Sequence, residues 1–92
     1  MGRKRKLDDL THHTDFPWRL RVMMALADIR AGELSSESGV TMKTIYRARA
    51  GLFMPELADR ERLILAIEAW RPGTLDMMRA DERRGARLLI KQ

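Results

Sequence analysis

Lys43, Arg47 and Arg49 lie in a stretch from Ser38 to Pro55 that contains no Asp or Glu, and Thr41, Met42, Thr44 and Tyr46 are interleaved with them. Ammonium, guanidinium and hydroxyl donors without a neighbouring acid make no general acid or base pair; their chemistry is the non-covalent capture of an anion, above all a phosphate. A second basic group, Arg3, Lys4, Arg5 and Lys6, precedes Leu7. It reads either as a solvated tail or as an arm that contacts phosphates or enters a groove, gaining affinity by counterion release.

His12 and His13, with Asp8, Asp9 and Asp15 near in sequence, suggest a metal site. Adjacent residues do not face each other on a helix, however, and the chain has no cysteine to add a thiolate, so the pair reads as solvated. Ser35, Ser36 and Ser38 read as small helix residues, since no orienting base accompanies them. There is no paired-carboxylate motif and no phosphate-cradling glycine loop. The expectation is a protein that is not an enzyme, with no cofactor, no metal and no small-molecule ligand.

The charge is +5 and the isoelectric point about 10.4, which favours acidic polymers as partners. The two signs mix between Glu56 and Glu82, so the positive field concentrates on the acid-free stretch and the N-terminus. No apolar run approaches the ~20 residues of a membrane span, and the basic start lacks the apolar core of a signal peptide. With cysteine absent, a cytoplasmic setting without membrane attachment is the natural expectation.

These residues need a scaffold, and the pattern predicts a small all-α one of four or five helices. Residues 1–14 read as a flexible basic arm, with Leu7 and Leu10 able to pack on the body, and residues 15–92 as the domain. A first helix starts at Asp15, capped by Thr14 or Asp15, with Pro17 in the first turn and Leu20, Met23, Met24 and Ala27 at helical spacing. Phe16 and Trp18 are assigned to the core or to a contact with the arm. Asp28 can cap a second helix over Ile29 to Ser38, almost continuous with the first, and Ile29 and Leu34 should face inward.

Gly39 then supplies a corner, and Thr41 caps a further helix that runs to about Ala50 and is closed by Gly51. Ile45 and Ala48, three apart, fall on its inner face. Leu52 to Met54 form an apolar loop that either folds beneath this segment or meets another subunit. Leu63, Ile64, Ala66, Ile67 and Trp70 make a broad apolar stripe on the next helix, which Pro72 and Gly73 stop. Thr74 can cap a last helix beginning Leu75, Met77 and Met78.

The segment Glu33 to Gly51 resembles the helix-turn-helix of the Cro and CI-type phage repressors and related bacterial regulators. That pattern runs leucine, small, two polar, small or apolar, glycine, valine, Ser or Thr, three variable residues, isoleucine. Here the places are held by Leu34, Ser35, Ser36 and Glu37, Ser38, Gly39, Val40, Thr41, Met42 to Thr44, and Ile45. Ser35 departs from the usual alanine, and Gly32 weakens the start of the first motif helix by ~1 kcal/mol relative to alanine.

The resemblance implies a lambda-repressor-like domain whose helix from Thr41 to Ala50 enters the major groove of an operator. Met42, Lys43 and Thr44 would then reach base edges: Lys43 towards guanine O6 and N7, Met42 and Thr44 towards a thymine methyl. Arg47 would reach a base or a phosphate, Thr41 and Tyr46 phosphates, and Arg49 is assigned to the DNA-binding set with its place in the groove open.

Leu88, Leu89 and Ile90 close the chain, in a continued helix or in a short strand such as some Cro proteins use to pair subunits. Either form suits a symmetric homodimer contact, and a helix packed on its own domain is the alternative. The functional expectation is a sequence-specific DNA-binding transcriptional regulator, a repressor of phage or bacterial origin. An excisionase or other architectural recombination factor, or a helical interaction module that does not bind DNA, are the alternatives.

Overall fold

Apolar residues at positions 16, 20, 23, 24 and 27 recur at the spacing of one helical face, and in the computed structural model they line the inner side of a single helix. The structure describes residues 7–80 and 82, leaving out the side chain of Asp8. Among them the helices are α1 (Asp8–Thr11), α2 (Phe16–Ala27), α3 (Ala31–Ser38), α4 (Met42–Arg49), α5 (Leu57–Trp70) and α6 (residues 74–80), with no strand. The all-α expectation holds over these residues. Leu88 to Ile90, and with them the choice between helix and strand for the tail, lie outside the described residues, as do Arg3 to Lys6.

Packing is pairwise around one core. α2 rests on α4 and α5, α3 on α4 and α5, and α1 on α2 and α5. Leu34, Ile45, Leu63, Ile64, Ile67 and Met78 are wholly buried between them. An eight-residue helix such as α4 is too short to persist alone in water, where ~12–15 residues are marginal. Burial of Ile45, a side chain whose removal from water is worth ~1.5–3 kcal/mol, together with Ala48, therefore carries its stability.

Several local expectations are corrected. Leu7 to Thr14 are not an open arm: α1 lies there, Leu10 and Thr11 are buried, and the Thr11 hydroxyl donates to Leu7 O at 2.8 Å. Leu10 and, half-buried, Leu7 do pack on the core, as their apolar character led one to expect. Asp15 sits at the start of α2, but its side chain makes no cap hydrogen bond and lies 3.7 Å from Arg19 instead.

Asp28 does not cap the following helix. It takes a left-handed conformation, φ 54°, that ends α2, and Ile29 N–H donates to Met24 O at 3.0 Å. Aspartate tolerates that conformation better than most residues, so the chain turns sharply without a glycine and α2 and α3 are distinct. α3 starts only at Ala31, where the Glu33 carboxylate accepts the Arg30 N–H at 2.9 Å.

Trp70 is another correction: it is about two-fifths exposed. Trp18 is exposed to the same degree and lies outside the buried core, which Phe16 joins. Trp70 lies on the last turn of α5, where the stripe of Leu63, Ile64 and Ile67 has run past the end of the core. Nor does Thr74 cap α6 through its own hydroxyl, which donates backwards to Arg71 O at 2.6 Å. The cap comes from Glu68 of α5, whose two carboxylate oxygens accept Gly73 N–H at 2.8 Å and Leu75 N–H at 3.0 Å.

Candidate nucleic-acid interface

The turn between α3 and α4 sets the direction of α4. Gly39 has φ 79°, a conformation that a side chain resists, and its N–H donates to Ser35 O at 2.9 Å. Val40 drops into the core, and Ser38 Oγ accepts its N–H at 3.1 Å. Thr41 is extended, and its hydroxyl oxygen accepts Thr44 N–H at 3.3 Å while donating to Thr44 Oγ1 at 3.0 Å. At the other end Gly51, φ 78°, donates to Ala48 O and Leu52 donates to Arg47 O, a Schellman closure.

Between these caps, Ile45 and Ala48 face inward with no exposure, and the remaining residues sort by position on the helix. Lys43 and Arg47, four apart, form an exposed outer row with Tyr46 beside it, 47% exposed. Met42 is exposed at the first turn, and Thr44 is half-buried. Thr41 is exposed, but its hydroxyl is already engaged in the cap. The O–H of Thr44 is therefore the hydroxyl donor left for an outside acceptor on this turn.

Arg49 does not join the outer row. Its guanidinium stands over the Tyr46 ring, 5.0 Å from the centroid, and Nη1 lies 3.9 Å from Met24 Sδ of α2. Arg21 of α2 donates from Nη1 to the carbonyl oxygen of Arg49. Nothing in the sequence singled out Arg21, because its value here depends on α2 lying against α4. Among the described residues, Arg21, Lys43, Arg47 and Arg49 form no salt bridge, whereas Arg19 pairs with Glu82 at 2.7 Å and Arg79 with Asp9 at 2.7 Å.

His12 and His13 stack at 4.7 Å between ring centroids, and His12 Nδ1 accepts Thr14 N–H at 3.3 Å. Among the described residues no group of three His, Cys, Asp or Glu side chains could hold a metal ion. A cleft of about 520 Å³ opens between α1, α5 and α6, lined by Leu7, Glu61, Leu65, Glu68, Leu75, Asp76 and Arg79, with no residue of α4. Both oxygens of Glu68 are engaged in capping, and Asp76 lies 3.7 Å from Arg79. In the loop after α4, Leu52 and Phe53 are 80% and 48% exposed, while Met54 packs on the core.

No protein-family model, curated protein or solved structure matches the chain. Among the described residues no helix is long and apolar enough to cross a membrane.

Proposed function

We propose that the chain is a sequence-specific DNA-binding transcriptional regulator, with α3 and α4 acting as a helix-turn-helix and α4 lying in the major groove. The observation that carries this reading is the exposed row of Lys43 and Arg47, with Tyr46 beside it, on a helix capped at both ends and free of salt bridges among the described residues. Cations held on a rigid face without internal partners suit a polyanion, and a helix of this width fits the major groove.

Within that reading, Lys43 and Met42 on the exposed first turn read base edges, Thr44 offers its hydroxyl, and Arg47 and Tyr46 contact the flanking backbone. Arg49 acts indirectly, by packing Tyr46 against α2. The basic residues Arg3, Lys4, Arg5 and Lys6 add counterion release, and Leu88, Leu89 and Ile90 join two copies on a pseudo-palindromic operator.

Selection of bound duplexes from a random pool tests this. Enrichment of a palindromic sequence is the expected result. A tandem array of short sites would favour an architectural recombination role, and no enrichment at all would favour a module that binds protein.

A further inference from the structure

Arg19 and Arg21 are two residues apart on α2, so their side chains leave the helix in nearly opposite directions. Arg19 turns to Glu82 and Asp15 and is neutralised there. Arg21 turns to α4, where it meets a backbone carbonyl and, among the described residues, no acid. A guanidinium carries five N–H donors in a fixed plane. Arg49 O takes one of them, which holds the fork at the C-terminal end of α4 and leaves the remaining donors facing solvent, since Arg21 is exposed.

From this geometry we infer that α2 supplies a phosphate contact of its own: Arg21, oriented by the Arg49 carbonyl, binds a phosphodiester of the duplex beside the groove that α4 occupies. The inference rests on the DNA-binding reading and extends its footprint from one helix to two. The bond to Arg49 O restrains the guanidinium before the phosphate arrives, so less side-chain freedom is lost on binding than for an unrestrained surface arginine. Arg47, two residues before Arg49, lies on the same last turn of α4, and Lys43 precedes it by one turn. The exposed cations of α4 thus run along its length, and Arg21 adds one from α2 at its C-terminal end. The competing explanation is that Arg21 only caps the last carbonyls of α4, a role that affects stability and not the response to salt.

The test compares the parent, Arg21→Gln and Arg21→Lys as full chains, titrated with the selected duplex and with a random duplex at several salt concentrations, alongside thermal melting. Loss of one phosphate contact reduces the slope of log affinity against log salt by about 0.9, so the affinity drop from about 50 to about 200 mM salt shrinks by about 3.5-fold. Arg21→Gln should show that change on both duplexes, and Arg21→Lys, which keeps the charge, should retain most of the parental slope. A parental slope in Arg21→Gln, whether or not its melting temperature falls, would overturn the inference while leaving the DNA-binding reading in place. A parent that binds neither duplex would overturn both.

Discussion

Thr41 Oγ1 accepts the N–H of Thr44 at 3.3 Å and donates to the Thr44 hydroxyl at 3.0 Å, so one side chain both starts α4 and orients a residue on its exposed first turn. Replacement by alanine removes a donor and an acceptor at once. Thr41→Ala is expected to lower stability by ~1 kcal/mol in urea unfolding, with Thr41→Ser close to the parent. A Thr41→Ala protein as stable as the parent would mean that burial of Ile45 and Ala48 holds α4 without its cap.

Two glycines should respond in opposite senses. A Cβ at Gly32 would sit 3.9 Å from Met42 Sδ, an ordinary contact inside a helix, so Gly32→Ala should stabilise by up to ~1 kcal/mol. At Gly39 nothing obstructs a Cβ, but φ is 79°, and Gly39→Ala should destabilise by ~1–2 kcal/mol. Thermal unfolding of the two variants reads the difference directly. A shift of the same sign in both would contradict the assignment of backbone conformation at the turn.

The α2–α3 junction shows how far the sequence could be followed and where it stopped. Periodicity located Leu20, Met23, Met24 and Ala27, and the glycine at 39 with the threonine at 41 marked the turn and cap, because these signals are local to a few residues. Asp28 could not be read this way: aspartate suits both a helix start and a left-handed stop, and the packing of α2 on α4 and α5 settles which. Glu68 as the cap of α6 and Arg21 beside Arg49 join segments distant in sequence. Trp70 misled for the opposite reason, since a helical stripe continues in sequence after the core it faces has ended.

The contact of α1 with α6 should weaken in acid. The Arg79 guanidinium donates from Nε to Asp9 at 2.7 Å, and this hydrogen bond holds the Asp9 carboxyl below its ordinary pKa of 3.8 despite a smaller opposing effect of burial. A carboxyl whose folded value is depressed contributes fully above the unfolded value, and that contribution is lost as pH falls through the folded one. Asp9 is half exposed, so the contribution stays below ~1 kcal/mol. Asp9→Asn should be slightly less stable than the parent near neutral pH, with the gap closing below the ordinary aspartate value. A gap that is constant with pH would assign it to packing.

Affinity of the parent and of Lys43→Ala for the selected duplex and for a scrambled one, measured by fluorescence anisotropy at one salt concentration, tests the central claim most directly. Lys43 lies on the exposed outer row of α4, so if it reads a base its removal should cost ~1–3 kcal/mol on the selected duplex and much less on the scrambled one. Equal losses on both would make Lys43 a phosphate contact only, and a parent that does not distinguish the two duplexes would contradict sequence-specific recognition by α4.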